Sequence, residues 1–267
     1  MAATPQVHEH VASLAVERGI PVFVEKPPVV YTKQLETIAS VAEKKGVITC
    51  VGHNLRHSDA ATQFQNAIAS SAFGRPVAME MRYFASKPRG TRWGLTSPLR
   101  SFLLSHANHA IDLMIYHMGN IRQIVAARAW PDVDGGVAIA VQFIFESGAV
   151  GNLLASSYAS RFTVAASVLS DAGYVATMNG LHEVVVQGPN ELGKGWSDTW
   201  HPRTLETGHR FAGYQTELER FFMGVANGTP DRVRPSFRDE VEIYHAIDLI
   251  EASIQSEPSA DAGRVLP

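Results

Sequence analysis

A short apolar run, residues 20–24 (Ile-Pro-Val-Phe-Val), constrains the fold more than any other stretch of this chain. It begins after Gly19 and is stopped by prolines at positions 27 and 28, so it predicts a strand buried on both faces, as in a parallel sheet. Glu25 and Lys26 come directly after the run. In open α/β sheets, loops at the carboxyl ends of strands line the ligand crevice. The two side chains are therefore either part of such a site or a solvated ion pair at a strand exit.

The segments around this strand predict a βαβ unit. Thr4-Pro5 is typical of the start of a helix. Thr32 is predicted to cap a second helix, and residues 47–51 (Val-Ile-Thr-Cys-Val) predict a second buried strand, parallel to the first. The loop after it, Gly52-His53-Asn54, should then lie at the same sheet edge as Lys26. The first helix has no full strand before it, so we expect the chain to begin partway through a fold.

A different pattern begins after Gly74. The runs predicted as strands are 77–84, 124–130, 137–145, 149–158, 164–170 and 184–187. The segments predicted as helices are 59–70, 105–119, 214–226 and 238–253. These patterns predict a mainly antiparallel open sheet with one face packed on helices. We therefore predict an α/β domain over residues 1–74, with a Rossmann-like parallel sheet, and an α+β domain over residues 75–267.

The helix predicted at 214–226 has an apolar stripe. The residues predicted to face inward are Leu218, Phe221, Phe222 and Val225.

Several polar and aromatic residues near the helix at 105–119 are candidate ligand contacts. Arg92 and Trp93 belong to a glycine-rich, cationic loop that would suit a polar substrate, although an ordinary surface loop can have the same composition. Ser105 and His106 are further candidate substrate contacts. His106 and His109 have the i, i+3 spacing of paired metal ligands. No Cys or acidic residue at ligand spacing accompanies them, so we predict no metal site.

The composition excludes several classes of function. The net charge is −3 and the Lys and Arg residues are spread along the chain, so we predict no nucleic-acid partner and no membrane surface. The longest apolar run, near residues 137–145, is too short to span a bilayer. The single cysteine, Cys50, excludes an internal disulfide and fits a reducing compartment, so we predict a cytoplasmic protein.

Four short motifs occur in an order that resembles one known family. They are Ala3-Thr4-Pro5-x-x-His8, Glu25-Lys26-Pro27, Gly52-His53-Asn54-x-Arg56 and His109-Ala-Ile-Asp112. The chain resembles the Gfo/Idh/MocA family of nicotinamide-dependent oxidoreductases over nearly its whole length. The resemblance implies a dinucleotide-binding α/β domain followed by an α+β domain whose open sheet makes oligomer contacts. It further implies NAD or NADP as cofactor, a sugar, cyclitol or related polyhydroxy substrate, and a homo-oligomer.

The resemblance also implies roles for single residues. Lys26 matches the family's active-site lysine, and His109 matches the histidine that serves as acid or base. The implied cofactor contacts are Thr4, Pro5, His8, Glu25 and Asn54. Moving a hydride off a carbinol carbon requires a base within hydrogen-bond reach of the hydroxyl. Histidine has an ordinary pKa of about 6.5 and lysine of about 10.4, so we favour His109 as proton acceptor and Lys26 as orienting donor. The alternative for His109 is a core histidine bonded to a backbone carbonyl.

Two features depart from the family pattern. Ser105 stands where the family has an aspartate, four residues before the histidine, and a serine cannot stabilise an imidazolium as a carboxylate does. The phosphate-binding turn is also missing, because the one G-x-G, at Gly193 and Gly195, has Asp198 in its third position. By the family's layout, about 70 to 80 upstream residues are absent. We therefore expect a truncated chain, and two alternatives stay open: a non-catalytic binding or oligomerisation module that holds no dinucleotide, and an inert fragment.

Overall fold

The computed structural model describes residues 2–87, 89–130, 134–189, 195–202 and 209–256. The α-helices within these ranges are Pro5–Glu17 (α1), Thr32–Lys45 (α2), Asp59–Ile68 (α3), Pro98–Phe102 (α4), Asn108–Met118 (α5), Tyr214–Asn227 (α6) and Phe237–Gln255 (α7). The strands are Val22–Glu25 (β1), Thr49–Gly52 (β2), Pro76–Phe84 (β3), Ile121–Ala129 (β4), Ala138–Phe145 (β5), Val150–Ser156 (β6), Thr163–Ser170 (β7), Val175–Asn179 (β8), Glu183–Gly188 (β9) and Trp196–Trp200 (β10).

The predicted parallel pair is confirmed. β1 and β2 pair in parallel, with Val24 opposite Val51, and both of these residues are fully buried. The carboxyl end of β1 therefore lies beside the carboxyl end of β2, as the βαβ pattern requires. Helix α2 joins the two strands and ends at Gly46, whose φ of 64° is the left-handed conformation that glycine adopts without strain.

The predicted cap of α2 is wrong by one residue. Tyr31 is the N-cap, and its backbone N–H donates to Oε1 of Gln34 at 2.8 Å. Thr32 is already helical, and its hydroxyl donates to the carboxylate of Asp248 in α7. The hydroxyl that was predicted to cap the helix therefore bonds to a residue 216 positions further along the chain.

The second sheet has eight described strands, two more than the sequence predicted. Their order across the sheet is β10-β9-β8-β7-β3-β6-β5-β4. Only the β3–β6 pair within it is parallel, so the predicted mainly antiparallel sheet is confirmed. The two missed strands, β8 and β10, are short, and β10 (Trp-Ser-Asp-Thr-Trp) is mostly exposed at the sheet edge. β8 is only five residues long, and the three central residues of β10 are polar, so neither forms a long apolar run in the sequence.

One face of this sheet is buried and the other is open. Along β5 and β6, alternate residues are buried, as expected of a sheet packed on one side only. The large apolar residues on exposed positions of the strands include Val125, Val150, Leu154 and Leu169. The open face therefore combines apolar side chains with polar ones such as Gln142 and Asn152.

The helix predicted at 105–119 begins earlier than expected and changes its winding. It starts at Pro98, where the hydroxyl of Ser97 accepts from the backbone N–H of Arg100 at 3.0 Å. Between α4 and α5 the chain forms a π-helical turn, Leu103–Ala107. Such turns are rare and occur frequently at functional sites.

Helix α6 presents a different face from the predicted one. Phe221 is buried as predicted, but Leu218 and Phe222 are 40% and 64% exposed, and Glu217 is buried instead. The prediction was wrong for these residues because it assumed an apolar inward stripe. The helix buries a carboxyl group beside the site described below.

One large hydrophobic cluster includes residues of both sheets. Helix α7 contributes Val241, Tyr244 and Ile247 to it, and α7 packs against α2, α5 and β4. The domain boundary predicted near Gly74 stays a prediction. Within the described ranges, none of the helices combines the length and the apolar character that a bilayer crossing requires.

Candidate active site

Lys26 lies at the carboxyl end of β1, and a cis peptide bond joins it to Pro27. Its ammonium group donates a hydrogen bond to the backbone carbonyl oxygen of Ser105 in the π-helical turn. Burial lowers the pKa of Lys26 from 10.5 to about 8, against the opposing effect of the Glu25 and Glu240 carboxylates. The amine can therefore gain or lose a proton close to neutral pH.

Two imidazoles lie beside this amine. Burial, followed by the charge of Lys26, lowers the pKa of His106 to about 4 and holds that of His109 well below its ordinary value. The Nδ1 atoms of both rings are buried and have no hydrogen-bond partner within the described part of the chain. Both rings are therefore neutral at physiological pH, and each offers one donor and one acceptor nitrogen.

The ring of His109 is packed between two other rings. Tyr83, from β3, lies nearly parallel to it, with ring centroids 6.3 Å apart and an interplanar angle of 22°. His53, directly after β2, meets it edge to face at 5.4 Å and 86°. The sequence did not point to Tyr83, which looks like an ordinary inward residue of an alternating strand.

A buried ionic cluster lies behind His109. Nε2 of His53 is 2.8 Å from Oε2 of Glu240, and the guanidinium of Arg56 makes a two-pronged contact with the carboxylate of Asp112. Burial by itself lowers the pKa of His53, but the carboxylates of Asp112 and Glu240 outweigh it and raise that pKa above its ordinary value. An imidazolium and a guanidinium then balance two carboxylates, as buried charges require.

A buried acid on α6 lies close to the same region. Burial, reinforced by the charges of Glu25 and Asp112, raises the pKa of Glu217 to about 9. Its Oε1 atom has no partner among the residues that the structure describes. Burial, followed by the charges of Glu25 and Glu217, raises the pKa of Tyr214 at the start of α6. No local pattern in the sequence identified either α6 residue.

The predicted cofactor contacts fall into two groups. Pro5 is buried in the first turn of α1, and Thr4 is the exposed N-cap beside it. Nε2 of His8 accepts from the backbone N–H of Ala3 at 2.7 Å, and its Nδ1–H donates to the carbonyl oxygen of Pro27 at 3.0 Å. Both ring nitrogens of His8 are thus engaged, and the histidine ties α1 to the loop that contains Lys26.

The other two predicted cofactor contacts lie at the ends of β1 and β2. The carboxylate of Glu25 lies over Gly52, where an added Cβ would come within 2.9 Å of Oε2. A side chain at position 52 would therefore displace the Glu25 carboxylate from its present place. The side-chain amide of Asn54 donates to the carbonyl oxygen of Ala212 at 2.8 Å, just before α6.

The predicted substrate loop lies next to α1. The backbone N–H of Arg92 donates to the Ser101 hydroxyl at 3.0 Å, and the carbonyl oxygen of Trp93 accepts from the side-chain amide of Gln6 at 2.7 Å. Trp93 has a φ of 54°, an uncommon conformation for a residue other than glycine. The positive charge of Arg92 contributes to the lowered pKa of both Lys26 and His106.

Ser105 does not contact His109 through its side chain. Its hydroxyl donates to the carbonyl oxygen of Ser101 at 2.6 Å, one helical turn back. Its backbone carbonyl, not its hydroxyl, is the group that reaches Lys26. Within the described residues, no three His, Cys, Asp or Glu side chains are grouped as metal ligands would be.

Lys26 and His109 leave hydrogen-bonding groups open to a ligand at this site. Lys26 uses one of its N–H groups on a carbonyl oxygen and has two more to offer, and neutral His109 has an unpartnered ring nitrogen. The described ranges contain no binding turn for the diphosphate of a dinucleotide, because no helix in them follows a strand through a G-x-G-x-x-G turn. Gly193, of the one G-x-G, lies outside the described residues.

Two family models match the sequence. A model described as an oxidoreductase family with an NAD-binding Rossmann fold, GFO_IDH_MocA, matches residues 1–53, and one described as the GFO/IDH/MocA C-terminal domain matches residues 62–176. No curated protein matches the sequence at a significant level.

Solved structures share the fold over nearly the whole chain. A dehydrogenase from Chromobacterium violaceum is 29% identical with a TM-score of 0.88, and the match covers 96% of this chain and 75% of that one. Levoglucosan dehydrogenase in complex with NADH and levoglucosan is 21% identical with a TM-score of 0.80, covering 95% and 77% of the two chains. An oxidoreductase from Agrobacterium radiobacter in complex with NAD+, L-tartaric acid and magnesium is 14% identical with a TM-score of 0.78, covering 95% and 76%.

Proposed function

Because the chain belongs to the Gfo/Idh/MocA family of oxidoreductases, we propose that it interconverts a secondary alcohol and its ketone on a sugar, cyclitol or related polyhydroxy compound, with NAD or NADP as cofactor. One observation carries the proposal: the amine of Lys26, with a pKa of about 8, is held at the π-helical turn beside His106 and His109. The substrate class is supported by the sugars and the polyhydroxy acid named in complexes of proteins with the same fold.

The surroundings of Lys26 and His109 favour a different division of roles from the one predicted from sequence. The pKa of His109 is held well below its ordinary value, so its ring is a weak base, whereas Lys26 titrates close to neutral pH. In this proposal, uncharged Lys26 takes the hydroxyl proton at Nζ while the neutral His109 ring orients the substrate oxygen by a hydrogen bond. When bound, the nicotinamide supplies the hydride acceptor.

The remaining predicted contacts have places in this proposal. Thr4, Pro5, Glu25 and Asn54 are at or near the carboxyl ends of β1 and β2, where the nicotinamide half of the cofactor would lie. Arg92, Trp93 and His106 would face the substrate, whose hydroxyl groups suit a set of cationic and neutral donors. Ser105 would act only through its carbonyl, as an acceptor for Lys26.

The test begins with binding and continues to turnover. The 267-residue chain is titrated with NADH and NADPH, and oxidation of a panel of hexoses, inositols and sugar acids is followed by formation of reduced nicotinamide. We expect turnover that falls by roughly 10²–10⁴-fold in Lys26→Met and in His109→Asn. Lys44→Met, an exposed lysine at the end of α2, is the matched control. Turnover that survives both active-site substitutions would refute the assignment.

A second candidate function is a homo-oligomeric assembly module, and the open face of the large sheet favours it. This face exposes Val125, Val150, Leu154 and Leu169, which a second copy of the chain could cover. Size-exclusion chromatography of the chain and of Leu154→Lys measures this directly, and we expect the variant to weaken the oligomer. Oligomers without any dinucleotide binding would favour the assembly module over the enzyme.

We also propose that the protein works in the cytoplasm. Its single cysteine, Cys50, is buried and has no disulfide partner, as is usual in a reducing compartment. Fractionation of the host cell tests this, and recovery from a secreted or membrane fraction would contradict it.

A further inference from the structure

His53 lies directly behind His109 and is entirely enclosed by the protein. Its ring meets that of His109 edge to face, with centroids 5.4 Å apart and planes at 86°. The proposed chemistry uses Lys26, His106 and His109 but does not use His53.

The position of His53 is determined by residues from distant parts of the chain. Nε2 of His53 is 2.8 Å from Oε2 of Glu240, at the start of α7, and its Nδ1 is 3.8 Å from Oδ2 of Asp112. Asp112 is in turn held by Arg56, whose guanidinium lies over the ring of Tyr116 at 5.0 Å. Because His53, Asp112 and Glu240 are all fully buried, the ring has little freedom to turn.

His109 has no comparable anchor of its own. Its Nδ1 atom has no hydrogen-bond partner within the described ranges, and the hydroxyl of Ser105, four residues earlier, is directed to Ser101 instead. Among the described residues, no carboxylate or backbone carbonyl therefore bonds to Nδ1 of this imidazole. The rings of His53 and Tyr83, one on edge and one nearly parallel, are the contacts that define its plane.

We propose that His53 is a positioning residue for His109, and that its ring, anchored by Glu240, holds the His109 ring in place from behind, where none of the described carboxylates does so. The catalytic meaning of this role rests on the proposed function, whereas the positioning itself does not. His53 acts through His109 and does not touch the substrate.

The test compares three variants of the whole chain. His53→Phe keeps a ring but loses the link to Glu240, and Glu240→Gln keeps an oxygen acceptor but loses the charge. His117→Phe is the matched control, because His117 is also buried, is 2.7 Å from an amide oxygen of Gln65, and meets Phe64 edge to face. Thermal unfolding shows whether each variant is folded.

The primary readout is nuclear magnetic resonance of isotope-labelled histidine rings, which needs no substrate. We expect one tautomer and one ring position for His109 in the wild type and in His117→Phe, and a mixture of tautomers in the other two variants. If turnover is found, kcat should fall about 10²-fold in those two variants, the scale of loss for a misplaced catalytic group, with KM little changed.

The same resonance spectra can refute the positioning role of His53. His109 ring resonances that stay as in the wild type, in whichever of His53→Phe and Glu240→Gln is folded, would show that His53 does not position the ring. Changed resonances without any turnover on the substrate panel would refute the proposed function and leave the positioning role standing.

Discussion

The ammonium group of Lys26 donates a hydrogen bond to the backbone carbonyl oxygen of Ser105, 79 residues further along the chain. This bond joins the carboxyl end of β1 to the π-helical turn between α4 and α5. The turn thus serves as an acceptor for a buried amine, and the helix that follows it presents His109 to the same region.

Replacing Lys26 with methionine should stabilise the fold at neutral pH while removing the proposed acid–base group. Burial lowers the pKa of Lys26 from 10.5 to about 8, so the folded state binds this proton more weakly than the unfolded chain does. The resulting destabilisation is complete below about pH 8 and disappears as the pH rises to about 10.5. We expect the free energy of unfolding at pH 7 to rise by at most about 3 kcal/mol in Lys26→Met, measured by urea denaturation.

The pH dependence separates the effect of the buried Lys26 charge from a general effect of the substitution on stability. The gain should shrink between about pH 8 and pH 10, because the wild-type amine then loses its charge. Lys44→Met, at an exposed position, should show no such pH dependence. A gain that does not change with pH would contradict the assigned cause.

Replacing Asp112 with asparagine should strongly destabilise the fold. The substitution leaves the Arg56 guanidinium and the His53 ring inside the protein with only Glu240 to balance them. Removing one partner of a buried pair typically costs about 3–5 kcal/mol. Glu43→Gln breaks the exposed contact with Arg238 and should cost less than about 1 kcal/mol. Similar losses in the two variants, measured by urea denaturation, would argue against a charge-balanced cluster.

Replacing Glu217 with glutamine should stabilise the fold more as the pH rises. Burial raises the pKa of Glu217 from 4.5 to about 9, so the folded state keeps a proton that the unfolded chain releases. This lowers wild-type stability progressively from about pH 4.5 to about pH 9. We expect Glu217→Gln to gain roughly 1–3 kcal/mol at pH 7 and little at pH 4, from unfolding curves at each pH.

Glu219 on the same helix provides the control for that experiment. It is exposed and accepts a hydrogen bond from Gln215 at 2.7 Å. Glu219→Gln should leave the pH profile of stability unchanged. If Glu217→Gln also follows the wild-type profile, Glu217 is ionised in the folded protein and the assignment fails.

Replacing His8 with phenylalanine should loosen the loop that holds Lys26. The ring of His8 accepts from Ala3 and donates to the carbonyl oxygen of Pro27, and phenylalanine can do neither. An unsatisfied buried carbonyl typically costs about 1–3 kcal/mol. Hydrogen exchange should also become faster around residues 26–30. His10→Phe, at an exposed position of the same helix, should change neither measurement, and equal effects of both variants would contradict this role.

Local patterns predicted most of the fold but less of the site. The parallel pair of β1 and β2 followed from short apolar runs bounded by glycine and proline, and the open sheet followed from alternation of apolar and polar residues. The same rules failed for Leu218 and Phe222 on α6, because a helix beside a polar site does not have to bury its most apolar face. The exposed edge strand β10 was missed because it is mostly polar.

By itself, the sequence determined the two sheets, the strand exit that presents Lys26, and the family to which the chain belongs, because each of these depends on neighbouring residues or on short motifs. Only the tertiary structure decided which titratable groups lie next to one another. His53 meets Glu240 across 187 residues, and Lys26 meets Ser105 across 79. A pKa depends on burial and on charges nearby in space, and contacts at such separations leave no periodic trace in the chain. For this reason the proposal that Lys26, and not His109, takes the proton draws on the structure and not on the sequence.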